Sequence, residues 1–577
     1  VSAAAHLVAD HRRVVRRRLR ATQGALLAFL AVLAGRLVQL QVVQGSRLQA
    51  LAARQQLEAI VLEPRRGRIV DRRGRPLAIT VDAPSLYAVP SAIPDPAAFA
   101  RTVAPLVDQP AADIERRLRA GRHFAWLARM VDPPVVARVR AAVRAEQVGV
   151  LTEQRRSYPN GPLGAHVLGF TGIDNQGLAG VELSYDAVLR GTAGRAVAVR
   201  DGRGRILVET QRVQVAPRDG QEVVLTIDQV LQHIAERELA AAVRRSDAAG
   251  GWVVILDPRT GEVLAMASSP GFDPNAGFRA DPRLWTNRAI SEAYEPGSTF
   301  KIFVMAAALD AGVVTGDRKV LCTGQLAAPG GAILRDAGGR RHGWVTPADI
   351  IRFSCNVGAA QVGTLLGRDR LYHYIRAFGF GQPAGVDLPG ESAGIVPPPA
   401  RWLGPGLQTI AFGQGLSVTA LQLAAAATTL ANDGVMLKPF VVRAIRDGHG
   451  RPVQVAGRQP VRQVVRPAVA AQVLQMMVGT TESGTGTEAR IPGYTVAGKT
   501  ATAQQTSPAG GYDPTRVVAS FVGLVPVPHP RLLVLVSLDG PRRASSGGEV
   551  AAPVFKDIAS QALWYLRIAP QQAPGVP

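Results

Sequence analysis

Ser298 and Lys301, in the string YEPGSTFKIF (294–303), stand three positions apart at the expected start of a helix. On a helix that spacing puts both side chains on one face, an amine beside a hydroxyl. A hydroxyl is a poor nucleophile until a base takes its proton. A lysine serves as that base near neutrality only when burial or a second cation lowers its pKa from ~10.4 by roughly 3 units, about 4 kcal/mol of preference between protonation states. The turn ahead of the helix also presents a free backbone N–H at Ser298, backed by the positive end of the helix dipole, where an oxyanion would sit. Two further strings supply the remaining parts. Ser354-Cys-Asn356 offers a hydroxyl to relay a proton and an amide to hold a peptide group. Lys499-Thr500-Ala501-Thr502 offers the second cation. On a strand edge, Lys499 and Thr500 would bind a carboxylate, while the backbone of Thr502 would pair with an extended ligand and complete the oxyanion pocket. Each string alone is weak: Ser-x-x-Lys occurs often by chance, Ser-Cys-Asn reads as a turn, and Gly498-Lys499-Thr500 suggests a phosphate loop, set aside on the expectation that Gly493 lies one residue too far upstream for G-x-x-x-x-G-K-[ST]. All three in order within one domain carry far more weight.

Strings this far apart need a scaffold that brings chain ends together. From residue 228 the pattern reads helix (Asp228 to Ala242), strand (Gly251 to Leu256), turn, strand (Val263 to Ser268), a long loop, and the helix opened by Ser298. Far downstream, YTVAGKTATAQQ (494–505), VASFVGLVPV (518–527) and RLLVLVSLDG (531–540) are three consecutive strand candidates. Strands at both ends of a segment that encloses many helices imply one sheet with helices packed upon it. Upstream, residues 44–220 mix helical stretches such as DIERRLRAGRHFAWLARMV (113–131) with short strands, and RRGRIVDRRGRPLA (65–78) has the pattern of a hairpin.

At 577 residues with 47% hydrophobic content, the chain is long enough for two or three domains with substantial cores. Its two cysteines, Cys322 and Cys355, write neither a disulfide framework nor a metal-binding spacing, and its nine histidines show no ligand spacing, so no metal or cofactor is expected. Of 66 basic residues only five are lysines (301, 319, 438, 499 and 556) and the other 61 are arginines. Where arginine replaces lysine so thoroughly, a retained lysine points to a need for a removable proton. The formal charge of +22 is dispersed and aromatics make up 5%, which argues against nucleic acid and for anionic headgroups or wall polymers. Six arginines between residues 12 and 20 precede an apolar run that reaches Val43 if Arg36 snorkels to the interface. The expectation is a basic inner tail (1–22), a single transmembrane anchor (23–43), a pedestal (44–220) and an exported catalytic domain (221–577). A cleaved leader is the rival, and the helical periodicity that continues past any cleavage point favours the anchor.

The ordered trio resembles the S-x-x-K, S-x-N and K-T-G set of penicillin-binding proteins and class A β-lactamases. The segments LDPRTGEVLAMASSPGFDPN (256–275), FSCNVGAAQVG (353–363), FGQGLSVTALQLAAAATTLANDG (412–434) and YTVAGKTATAQ (494–504) look like class B penicillin-binding proteins, and RRSYPNGPLGAHVLGFTGIDNQGLAGVELSYD (155–186) is similar to their pedestal. The resemblance implies an α/β multidomain chain: a β-lactamase-like domain, an antiparallel sheet flanked by helices, on an α+β pedestal behind one membrane helix. It implies a serine D,D-transpeptidase, with Ser298, Lys301 and Ser354 catalytic and Asn356, Lys499, Thr500 and Thr502 binding substrate. Stem peptides of peptidoglycan and β-lactams are the implied ligands, and a polytopic glycan polymerase with other division proteins the implied partners. The Ser-Cys-Asn string and YPNGPLGAHVLGF resemble the division-specific branch, the alternatives being elongation or sporulation. A β-lactamase would need a water-activating carboxylate, and its Glu-x-x-Leu-Asn string is missing. One departure stands out: Ala501 occupies the glycine position of Lys-Thr-Gly, which leaves β-lactam susceptibility open and a silent wall-binding scaffold as a further alternative.

Overall fold

The computed structural model describes residues 2–121, 123–200, 206–506 and 511–571. The chain divides into two compact units, residues 1–64 with 192–218, and residues 65–191 with 219–577. The first holds the helix Ser2–Val38, a π-helical stretch Gln39–Val43, the helix Gly45–Gln56 and a three-stranded antiparallel sheet of Leu57–Leu62, Gly194–Arg200 and Ile206–Val215. Asp10–Val43 is long and apolar enough to cross a membrane, with a mean hydropathy of 2.0 over its most apolar window. Arg36, inside that stretch, donates from Nη1 to Gln39 Oε1 at 2.8 Å.

In the second unit the elements that matter are α1 (Gln229–Ser246), β1 (Gly250–Leu256), β2 (Val263–Ser269), α2 (Lys301–Asp310), α3 (Pro347–Phe353), α4 (Asn356–Leu366), α5 (Ala420–Thr428), α6 (Pro467–Ser483), β3 (Ala497–Thr506), β4 (Tyr512–Val525), β5 (Leu532–Asp539) and α7 (Ala552–Tyr565). The five strands form one antiparallel sheet in the order β2-β1-β5-β4-β3, so strands from both ends of the domain sit side by side, as the sequence pattern implied. Every residue of β1 and β5 is buried, because helices cover both faces. Val253, Ile255, Val534 and Val536 pack with Leu231 and Leu239 of α1 and Phe555 and Ile558 of α7. Trp252, Val254, Leu533 and Leu535 face the other way, in the cluster that holds Phe303 of α2 and Leu421 of α5. This period-2 alternation between two apolar layers explains why these strands read as unbroken apolar runs. Helix α2 is buried from Lys301 to Leu309, which fits its apolar character all round. A lysine at the head of such a helix sits in a low-dielectric site by construction.

The hairpin at 65–78 is present: Ile69–Val70 pairs with Pro76–Ala88, and Glu222–Leu225 then lies parallel to Ile69–Val70 and antiparallel to Val442–Arg446. The helical reading of 113–131 needs correction. The helix stops at Ala120, and Ala125–Ala128 is a strand paired with Pro76–Ala88. The chain folds back tightly here, so that a Cβ on Gly121 would come within 2.6 Å of the Phe124 carbonyl oxygen.

Beneath the hairpin, Glu182 is buried between two arginines. Arg66 Nε and Arg156 Nε donate to its carboxylate at 2.8 and 2.6 Å, Tyr158 Oη donates at 3.3 Å, and Arg66 also reaches Asp186 at 2.8 Å. Removing one partner of a buried network strands the remaining charges. Glu182→Gln is therefore expected to destabilise this unit by about 3–5 kcal/mol, read as a lower melting temperature and faster proteolysis between residues 65 and 190.

Candidate active site

Ser298 lies in a 3-10 turn, Gly297–Phe300, that leads directly into α2. The turn is pinned from behind: Gly297 N–H donates to the Gly413 carbonyl at 3.0 Å, and a Cβ on Gly413, whose φ is +85°, would lie 2.0 Å from the Gly297 oxygen. Only glycine fits there, which fixes the height of the Ser298 turn. Three residues on, Lys301 Nζ donates to Ser298 Oγ at 2.9 Å, the geometry that i, i+3 spacing predicts.

Ser354 joins α3 to α4 with a left-handed backbone, φ 61°. That conformation turns both its carbonyl and its hydroxyl toward Lys301, at 2.5 and 3.2 Å from Nζ, while the first residue of α4, Asn356, accepts from the same amine through Oδ1 at 2.7 Å. From edge strand β3, Lys499 Nζ donates to Ser354 Oγ at 3.0 Å and to the Thr500 carbonyl at 2.9 Å. One hydroxyl thus lies between two amines. Side chains alternate along β3: Lys499 points inward, whereas Thr500 Oγ1 meets Thr485 Oγ1 at 2.6 Å and Thr502 Oγ1 accepts from Gly547 N–H at 3.1 Å. Ser298, Ser354, Asn356, Thr500 and Thr502 line a cleft of about 350 Å³, and the two amines lie beneath its floor. All seven residues singled out in the sequence come together in this one region.

Electrostatics follow from burial. Lys301 is 1% exposed and Lys499 is fully buried. Desolvation lowers the Lys301 pKa to about 8, opposed by the negative charge of Asp336, and pushes Lys499 well below the usual lysine range, with repulsion from Lys301 adding to the effect. Burial thus moves both amines that flank the hydroxyl toward the neutral form a base requires.

The phosphate-loop pattern deserves correction as well. Gly493 to Thr500 does satisfy G-x-x-x-x-G-K-[ST] in full, so spacing alone did not exclude that reading. The structure does, because Lys499 is on a strand that continues to Thr506 and its amine points into the protein, not toward a helix N-terminus.

Ala501 is 3% exposed on the same face as Lys499 and Ala503, its methyl beside Gly297, where an added Cβ would come 3.7 Å from Ala501 and 3.1 Å from Ala503. Ala501→Gly is expected to leave acylation by a penicillin within about tenfold of the parent rate, about 1.4 kcal/mol of barrier, and to lower stability by roughly 0.5–1 kcal/mol because glycine weakens a strand. Rapid-mixing kinetics with a fluorescent penicillin measure the first. A hundredfold change would instead make this methyl a gate of the pocket.

Sequence reasoning missed Asp336 and Thr485, which touch the cleft from loops, and Gly547, which opens the one-turn helix Gly547–Val550, all segments too short to carry a period. It also treated the cysteines as unconnected, yet Cys322 Sγ and Cys355 Sγ both donate to Asp336 Oδ2, at 2.8 and 3.3 Å.

Known proteins carry the same layout. Residues 251–560 match the family model for the penicillin binding protein transpeptidase domain, and residues 61–225 match that for the penicillin-binding protein dimerisation domain. The chain is 36% identical to penicillin-binding protein PbpB of Mycobacterium tuberculosis over 97% of its own length and 86% of the relative's. It is 32% identical to peptidoglycan D,D-transpeptidase FtsI of Escherichia coli K12 (95% and 91% covered) and 34% identical to stage V sporulation protein D of Bacillus subtilis (93% and 84%). Among solved structures it is similar to penicillin binding protein 3 of M. tuberculosis complexed with ampicillin, with a TM-score of 0.71, 31% identity, and 90% and 99% of the two chains covered.

Proposed function

This chain belongs to the class B penicillin-binding proteins and is a peptidoglycan D,D-transpeptidase; from that premise we propose that Ser298 is its nucleophile and Lys301 the base that activates it. The observation that carries the assignment is the 2.9 Å contact between a half-buried hydroxyl at the cleft and a fully buried amine. Neutral Lys301 takes the Ser298 proton as Oγ attacks the carbonyl of the penultimate D-alanine of a stem peptide. The developing oxyanion is held by the backbone N–H groups of Ser298 and Thr502. The proton then passes through Ser354 Oγ, 3.2 Å from one amine and 3.0 Å from the other, to the departing D-alanine nitrogen, leaving an ester on Ser298. An amine from a neighbouring strand attacks that ester, loses its proton along the same route and restores the hydroxyl. Asn356 holds the donor's peptide group, Thr500 faces its terminal carboxylate with the buried Lys499 amine beneath the cleft floor, and the outer edge of β3 pairs with its backbone, a role supported by the position of β3 at the end of the sheet.

A β-lactam presents its strained amide to the same hydroxyl and leaves the acyl ester with no departing fragment to make way for the acceptor. The basic N-terminal tail and the apolar helix support a single-pass anchor at residues 23–43, with the pedestal (44–220) and transpeptidase domain (221–577) outside the membrane of a bacterial cell. YPNGPLGAHVLGF (158–170) favours a septal role beside a polytopic glycan polymerase, with sporulation or elongation as the other assignments. The deciding experiment is to incubate the detergent-solubilised chain with a fluorescent penicillin and map the adduct by peptide mass. A long-lived adduct on Ser298, with D-alanine release from a D-Ala-D-Ala peptide, is expected. An adduct elsewhere, rapid hydrolysis, or none refutes the reading.

A further inference from the structure

We propose that Asp336 is a positioning residue for transpeptidation, its buried carboxylate holding the Ser354-Cys355-Asn356 turn and the start of α4 against Lys301 through three of the four hydrogen bonds it accepts. The proposal rests on the reading that Ser298 is acylated with Lys301 as its base.

Asp336 is 5% exposed and both its oxygens are used. Oδ1 accepts from the backbone N–H groups of Asn356 and Val357, the latter at 3.2 Å, and so caps the positive end of α4. Oδ2 accepts from the thiols of Cys322 and Cys355, the only cysteines in the chain. Cys322 ends the strand Val320–Cys322, whose partner Gly343–Val345 follows the loop on the cleft's outer wall. Cys355 sits between the two functional residues of the turn and accepts from Gly358 N–H at 3.0 Å. The adjacent Arg335 carbonyl accepts from Asn356 Nδ2 at 3.1 Å. Asn356 is therefore gripped by both residues of the 335–336 pair and turns Oδ1 to Lys301. The left-handed Ser354 needs that support. Asparagine, aspartate and glycine populate this conformation readily and serine does not, so surrounding contacts must hold it.

Charge adds a second consequence. Lys301 faces Ser298 on its own turn, Ser354, Cys355 and Asn356 at the α3–α4 junction, Asp336 behind them, and Lys499 from β3. Asp336 favours the protonated amine, against burial. Without its charge, Lys301 loses its proton at a lower pH.

The test is the pH dependence of acylation by a fluorescent penicillin, measured on the full detergent-solubilised chain as rate per folded molecule. Acylation of the unaltered chain at Ser298, measured in parallel, decides the underlying reading independently. Asp336→Asn keeps an oxygen for the α4 N–H groups but removes the charge, so the acid limb of the profile moves to lower pH while the plateau stays within about tenfold of the parent. Asp336→Ala removes cap and charge, and the plateau falls by about a hundredfold or more, as expected when a catalytic group shifts by ~1 Å. A purely structural carboxylate would lower the melting temperature and leave both limb and plateau in place, and that result overturns the proposal. If Asp336→Ala does not fold, the Asn variant decides alone: an unmoved acid limb overturns it.

Discussion

Replacing Ser298 by alanine is expected to abolish the penicillin adduct and cut D-alanine release by about 10⁶-fold, the loss seen when the nucleophile of a serine enzyme is removed. The cleft holds a second candidate nucleophile. Ser354 Oγ lies 3.2 Å from Lys301 Nζ and 3.0 Å from Lys499 Nζ, so proximity to an amine does not distinguish the two hydroxyls. What distinguishes them is position. Ser298 opens a helix, where a backbone N–H and the helix dipole face the bound carbonyl, whereas Ser354 closes α3 in a left-handed turn and hands its carbonyl to Lys301. Ser354→Ala is accordingly expected to slow acylation by about 10²–10⁴, the range for losing a proton-transfer group, with the residual adduct still on Ser298. Peptide mapping of both variants settles the matter. An adduct on Ser354 in the Ser298 variant would falsify the assignment.

The second large effect is expected at Lys301. With its pKa at about 8, about a quarter of the amine is neutral at pH 7.5, against about one part in a thousand for an unperturbed lysine. Acylation should therefore climb with pH and level off above about 8. Lys301→Arg keeps the positive charge but cannot give up its proton, so the rate should fall by about 10²–10⁴ and the pH limb should vanish. A rate unchanged by arginine would show that charge alone, not basicity, is required. Burial has a price in stability, and its sign can be worked out. The folded pKa lies below the unfolded value of 10.5, so between about pH 8 and 10.5 the unfolded chain binds more protons than the folded one. Stability therefore rises with pH across that window, and the contribution is lost again as pH falls through about 8. Denaturant titrations at pH 7.5 and 9.5 check the direction, with Lys301→Met as the variant in which this pH dependence weakens.

Several parts of the machine were legible because local chemistry dictates them. Ser-x-x-Lys at a helix start brings hydroxyl and amine together through the i, i+3 spacing of one helical turn, here a 3-10 turn, and the contact is there at 2.9 Å. Apolar runs at 251–256 and 531–540 read as strands because β-branched residues buried on both faces leave no polar alternation to confuse the reading. The strand at 125–128 was lost inside an apparent helix, since a short apolar segment after a true helix carries no period of its own and only its pairing with Pro76–Ala88 defines it. Gly493 to Thr500 shows the opposite failure: a complete phosphate-loop spacing that the chain uses as the approach to an edge strand.

The order and types of residues alone determined that a serine, two lysines and an amide would be available, that one lysine would head an apolar helix, and that a basic, helical N-terminus would precede them. Those are consequences of composition and of periodicities a few residues long. Tertiary structure alone decided that Lys499 shares the Ser354 hydroxyl with Lys301, that Asp336 caps α4 with the help of two distant thiols, and that the Ala501 methyl lies beside Gly297. The reason is physical: pKa and hydrogen-bond geometry depend on which groups desolvate one another, and the neighbours that do so here are 14 to 204 positions apart in the chain, where no local pattern links them.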